Sequence, residues 1–207
     1  MHIDTFLRYV NRGLIPPESP DGLDEHGHSM LTRNYKARDS CTARGMWAIV
    51  TLAWTERLAE WIEGRNVLEI MAGAGWLAKA FNHYGVDVKA TDNGDWDDRH
   101  DKMKMVYPVE KFEASKAVEK YNEWADVLVV SWPPYGEQAI CDACDAWGSE
   151  RPIVYIGESD GGCNAPDEFW KRFRESQDAP SVPLMSWSGV HDRVFIGRYS
   201  KGVNVAS

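Results

Sequence analysis

Val67-Leu68-Glu69-Ile70-Met71-Ala72-Gly73-Ala74-Gly75-Trp76-Leu77 opens as a short apolar strand, passes through two glycines and enters the first turn of a helix. Glycines at such a junction let the backbone approach a ligand closely, and the helix that follows presents unpaired N–H groups to it. A nucleotide-like molecule suits that arrangement. The run offers only Gly73 and Gly75, so the G-x-G-x-x-G spacing of a pyrophosphate grip is absent. Taken alone, the glycine pair is also consistent with a tight strand-to-helix turn in any α/β protein.

Working outward, the same alternation recurs. WLAKAFNHYG (76–85) reads as a helix and VDVKATD (86–92) as the next strand; DVLVVSWPPYG (126–136) and PIVYIGESDGG (152–162) are further strands, and DEFWKRFRES (167–176) is helical. Short, nearly continuous apolar runs bounded by Gly, Asp and Pro are what strands buried on both faces look like, and the helices between them make the sheet parallel. Upstream, Trp47, Val50, Trp54, Leu58 and Trp61 fall at helical spacing, which predicts one helix from Ala43 to Glu63, closed by Gly64. Residues 3–14 form a short amphipathic stretch followed by the breaker-rich IPPESPDGLDEHGHS, so residues 1–42 are expected to be a lid or appendage and 43–207 the main domain. At the other end, VPLMSW and RVFIGRYS flank a Ser-Gly-Val-His-Asp turn, which suggests an antiparallel hairpin at the sheet edge.

Asp92 closes its strand at roughly the distance past the glycines at which an acidic residue bonds ribose hydroxyls, so two strand ends converge on one ligand. A helix cap or a solvated turn beside Asn93 and Gly94 is the competing explanation. With VLEIMAGAG and this aspartate in place, the chain resembles the class I S-adenosylmethionine (SAM)-dependent methyltransferases over most of residues 43–200. The resemblance implies a doubly wound Rossmann-like fold: a mostly parallel seven-stranded sheet with a C-terminal antiparallel hairpin. It also implies SAM as cofactor, with Glu69, Gly73, Gly75, Asp92 and Ser131 around it. Met71 stands where that family usually has its first glycine.

Ser131-Trp132-Pro133-Pro134-Tyr135 is the most specific stretch. Two prolines fix the backbone and hold their carbonyls rigidly at the strand end, and Tyr135 supplies a flat face. The stretch is similar to the PPY motif of methyltransferases acting on amino groups of bases and on glutamine amides, which implies that Pro133 and Tyr135 hold a planar acceptor. Trp132 replaces the Asp, Asn or Ser of that motif, and adjacent side chains of a strand point to opposite faces, so Ser131 takes its place only if the backbone turns there. Trp132 and Tyr135 then form an aromatic slot, or Trp132 packs into the core. SWPPY with YIGESDGG also resembles an uncharacterised WPPY-motif group of methyltransferase-like proteins. Glu158 is the expected base or orienting carboxylate, unless the glycine turn's own N–H groups occupy it, and Gly161 and Gly162 are expected beside the substrate with Trp132.

Other constellations carry less. Cys141 and Cys144 have zinc-like spacing without a second pair of ligands, His26 and His28 lie in a polar loop, and no metal is expected. Arg33, Lys36, Arg38 and Arg44 form the best local basic patch, as a ligand-attracting cluster or as solvated surface. The chain has 207 residues, 43% hydrophobic, and a formal net charge of −9, which favours a small-molecule or protein acceptor over nucleic acid. No apolar run is long enough to span a membrane, and four irregularly placed cysteines suit a reducing, cytoplasmic setting. The expected activity is methyl transfer from SAM to a nitrogen of a planar acceptor. The alternative is a SAM-binding protein without transfer activity.

Overall fold

This computed structural model describes residues 1–23, 32–95 and 103–200, with residues 32 and 33 described in backbone only. His26, His28 and the side chain of Arg33 lie outside the described residues. The chain runs α1 (Ile3–Asn11), α2 (Thr32–Thr42), α3 (Leu52–Ile62), β1 (Val67–Ile70), α4 (Trp76–His83), β2 (Val88–Asp92) and β3 (Val109–Lys111). It continues through α5 (Ala114–Tyr121), β4 (Val127–Ser131), α6 (Ala139–Trp147), β5 (Ile153–Gly157), α7 (Asp167–Arg172), β6 (Phe173–Glu175) and β7 (Arg193–Tyr199).

The strands form one seven-stranded sheet in the order β3-β2-β1-β4-β5-β7-β6, parallel except for β7, which runs antiparallel to both its neighbours. This is the doubly wound, Rossmann-like architecture read from the sequence. The period-2 alternation of the strands explains the two cores. Val67, Val127, Val129, Val154 and Ile156 pack with Leu58, Ile62 and Phe81 on one face, whereas Leu68, Ile70, Leu128, Val130 and Tyr155 pack with Ile140 and Phe169 on the other. Each fully buried aliphatic or aromatic side chain contributes about 1.5–3 kcal/mol, so strands buried on both sides anchor the sheet.

Two local expectations are corrected. The helix over 43–63 is interrupted: α2 ends at Thr42 and α3 starts at Leu52, with Gly45 at φ +74 between them. The intervening backbone has tertiary partners, because the Trp54 indole donates to Ile49 O and the Trp76 indole to Arg44 O. Next, the antiparallel pair at the edge takes Phe173–Glu175 as its first limb, paired with β7, and residues 181–188 form no strand. The segment read as a helix over 167–176 therefore changes state at Phe173, whose side chain packs in the Phe169 and Tyr199 cluster. Ile3, Phe6 and Val10 of α1 belong to the same buried cluster as β1 and β4, with Phe6 set edge-on against Trp187. Among the described residues no helix is long and apolar enough to cross a membrane.

Candidate functional site

The sheet order reverses between β1 and β4, and in an open α/β sheet the carboxyl ends of the strands flanking such a point enclose a crevice. Ile70 pairs with Val130, so the turn after β1 and the end of β4 leave the sheet side by side. A cavity of about 480 Å³ opens there. Met71 and Gly73 line it from β1, Asp92 from β2, and Ser131 through Tyr135 from β4. The connection between α2 and α3 covers it with Gly45, Met46, Trp47, Ala48 and Val50.

The two glycines divide their work. Gly73 lines the cavity at φ +53, and a Cβ there would meet nothing nearer than Gly45 O at 3.9 Å. Gly75, at φ +80, does not line it; a Cβ there would come within 2.9 Å of Tyr107 Cβ and 3.1 Å of Val109 Cγ2. Gly75 is thus required by the close passage of 107–109 and by its own left-handed backbone.

Asp92 is nearly buried and closes the glycine turn. Its Oδ2 accepts from Gly73 N at 2.8 Å and its Oδ1 from Gly94 N at 2.7 Å. A carboxylate has about four lone-pair sites, so about two stay available to a ligand. Glu69, 2% exposed, also lines the cavity, and its Oε2 has no hydrogen-bond partner. Burial, reinforced by the Asp92 charge and opposed by the Ala78 N–H, pushes its carboxyl up to about 8. That N–H lies in the first turn of α4, whose cap position is the side-chain-less Gly75, so Glu69 supplies the capping acceptor.

At β4 the backbone does turn: Trp132 sits at φ +53 while its N–H still reaches Ile156 O at 2.8 Å. Its indole N–H donates to Asp192 Oδ1 at 2.9 Å, and its ring stacks on Trp47 with centroids 5.4 Å apart. Tyr135 is 67% exposed at the cavity edge. The Pro133 carbonyl accepts the Ala165 N–H at 3.3 Å.

Glu158, Gly161 and Gly162 are not brought to the cavity wall. Glu158 Oε2 accepts from Cys163 N at 2.9 Å and Cys163 Sγ at 2.8 Å, and its Oε1 from His191 N at 3.1 Å. Burial pushes this carboxyl up, but those donors together hold it below its ordinary value. Gly162 packs against Glu158, because a Cβ there would overlap the Glu158 side chain, and Gly161 at φ +82 shapes the turn. Cys163 lines the cavity with its thiol pushed up to about 11 by burial and the Glu158 carboxylate. Cys141 and Cys144 are buried on α6, their thiols raised by burial. On α2, Arg38 acts electrostatically on Asp192 and Cys163 without lining the cavity.

Two contributors escaped sequence reasoning. Trp47 shares the helical spacing of Trp54 and Trp61 but forms a wall of the cavity; Gly45, two residues earlier, is the signal that no helix runs through this stretch. Asp192 reads as a turn residue, yet it is 1% exposed, with its carboxyl pushed up to about 7 by burial against the opposing Trp132 hydrogen bond. Nothing in the sequence links positions 132 and 192.

No protein-family model matches this sequence, and no curated protein matches it. Among solved structures it is similar to a SAM dependent methyltransferase from Archaeoglobus fulgidus, with 13% identity, 71% of this chain and 92% of that one covered, and a TM-score of 0.44. It is similar to human N-acetylserotonin methyltransferase in complex with SAM at 11% identity, 97% and 67% coverage and a TM-score of 0.47. Magnesium protoporphyrin IX methyltransferase from Synechocystis PCC 6803, with bound SAH, gives 9%, 80%, 88% and 0.46. The likeness is one of chain outline alone.

Proposed function

We propose that this protein binds SAM in the switch-point cavity and transfers its methyl group to a nitrogen of a planar acceptor held at Ser131–Tyr135. The observation that carries the reading is the cavity itself: it receives the ends of β1, β2 and β4, and its described lining holds the carboxylates of Asp92, Asp95, Glu113 and Glu137 beside the protonated Glu69, and no lysine or arginine. That charge suits a sulfonium cation, and the volume lies within the usual range of about 300–1,000 Å³ for small-ligand sites. The unpartnered Oε2 of Glu69 can accept a hydrogen bond from an ammonium group, and such a cation would favour release of the proton that burial holds there. SAM supplies an electrophilic methyl and its own leaving group.

The chain's own residues then bind, orient and exclude water. Gly73 lets the backbone approach the ligand, Asp92 accepts hydroxyl hydrogens on its two remaining lone-pair sites, and Ser131 lines the sheet side. The connection between α2 and α3 covers one side of the cavity and leaves its mouth at Tyr135 open. Tyr135 offers a ring face to the acceptor, and the Pro133 carbonyl keeps one lone pair for an acceptor N–H. No strong base is needed for an amine nucleophile, so Glu158 is free to act as the brace of its loop. The net charge of −9 favours a small-molecule or protein acceptor, and the free cysteines Cys41, Cys141, Cys144 and Cys163 are in keeping with a reducing cytoplasm.

One observation favours the second reading, SAM binding without transfer. Trp132 is committed to Asp192 and Trp47, so it contributes no acceptor group where related motifs have a polar side chain. Calorimetry with SAM, then transfer of labelled methyl into separated protein, small-molecule, RNA and DNA fractions of a lysate, decides between them. Binding with label in one fraction, lost in Asp92→Ala and Tyr135→Ala, is expected. Binding without label in any fraction supports the second reading, and absence of binding overturns both.

A further inference from the structure

The acceptor end of the cavity has an uneven chemistry. Trp47, Trp132 and Tyr135 bring three aromatic rings to it and Glu137 brings a carboxylate, while Arg38 stays off the wall. The Trp132 indole N–H is bonded to a carboxylate, Asp192, that is almost wholly buried and whose Oδ2 has no hydrogen-bond partner. A carboxylate at the N–H polarises the indole toward a more negative ring face, and a negative ring face attracts cations. The left-handed backbone at Trp132 is unfavourable for a bulky residue, and it is held by that bond and by the Trp47 stack. Strain of this kind persists where the surroundings over-determine it, often at ligand sites.

We propose that the acceptor half of the cavity binds an organic cation, which makes the acceptor an amine base protonated in water. Naming this ligand the acceptor rests on the SAM reading; the cation site does not. In transfer, the amine first releases one proton to water, its lone pair forms the new C–N bond, and the sulfur keeps the electron pair of the C–S bond that breaks.

The test uses benzyltrimethylammonium, with benzyl alcohol and benzoate as neutral and anionic analogues of similar size. Each is titrated at about pH 8, where the Asp192 carboxyl is ionised, into the full chain saturated with SAH while the indole N–H resonances are followed by proton–nitrogen NMR, and Trp132→Phe identifies the Trp132 signal. The cation is expected to shift that signal and to bind at least about tenfold more tightly than the alcohol. Asp192→Asn keeps a hydrogen-bond acceptor but removes the charge, and should weaken the cation about three- to tenfold. Tyr135→Ala, at an exposed position that the fold does not need, should do the same. Equal binding of alcohol and cation, tighter binding of benzoate, or shifts that leave Trp132 untouched overturn the proposal. If SAH itself fails to bind by calorimetry, the cofactor reading falls, and the same titration of the ligand-free protein still decides the cation site.

Discussion

Met71 and Trp132 hold left-handed backbone, φ +54 and +53, at the ends of the two strands that flank the cavity. These are also the two positions where the chain departs from the motifs it resembles. At Met71 the departure changes the side chain and keeps a glycine-like conformation, which costs an ordinary L residue about 1–2 kcal/mol. The neighbouring glycines give a sharper residue-scale prediction. Gly73→Ala adds a methyl with space around it, so thermal stability should fall by only about 1 kcal/mol, from the backbone alone, while SAH affinity drops at least about tenfold. Gly75→Ala carries the same backbone penalty plus the Tyr107 overlap, and should cost about 2–4 kcal/mol. Thermal melts and calorimetry on both variants check this; equal melting temperatures would show that the two glycines are not divided between site and fold.

Glu158 belongs to the same scale. It braces Cys163 and His191 through solvent-exposed hydrogen bonds, so Glu158→Ala should loosen that loop and cost only about 0.5–1.5 kcal/mol. The pH profile of methyl transfer by Glu158→Gln should keep the wild-type shape. A lost limb in that profile would return Glu158 to the role of base.

At the scale of elements, α1 is the informative case. Its apolar face, Ile3, Phe6 and Val10, is buried with the sheet, and Phe6 is fully enclosed against Trp187. Phe6→Ala should therefore cost about 3–5 kcal/mol. In a domain of this size each kcal/mol lowers the melting temperature by about 2–4 °C, and the loss should appear in a single transition. A main transition that stays in place, with a separate early one, would mark residues 1–42 as an independent appendage. The connection between α2 and α3 shows why element boundaries were hard to read. The apolar spacing over 43–63 is helical, but Gly45 and the hydrogen bonds from Trp54 and Trp76 give its backbone other partners.

At the scale of the molecule, two buried carboxyls set the pH response. Burial raises Glu69 to about 8 and Asp192 to about 7. Between the ordinary carboxylic range and those values the folded chain holds protons that the unfolded chain has released, so stability falls as pH rises through that window and levels off above it. Each unit of such a shift is worth about 1.4 kcal/mol. The ligand-free protein should melt at a higher temperature near about pH 5.5 than near about pH 8.5, and Asp192→Asn should narrow the gap. A flat melting temperature across that range would mean that neither carboxyl is as enclosed as the fold places it.

Much of the fold was legible because its signals are local. VLEI, VLVVS and IVYIG announce doubly buried strands through nearly continuous apolar runs, and Gly73, Asp92 and Pro133-Pro134 mark the strand ends where backbone freedom, charge and rigidity are needed. Sequence by itself determined the sheet's class and the glycine turn after its first strand. Only the tertiary structure decided that Gly75 serves packing, that Glu158 is spent on its own loop, that Trp47 walls the cavity and that Asp192 holds Trp132. The reason is physical: propensity and periodicity act over a few residues, whereas the 60 positions between Trp132 and Asp192 are bridged by chain packing that neither residue encodes alone.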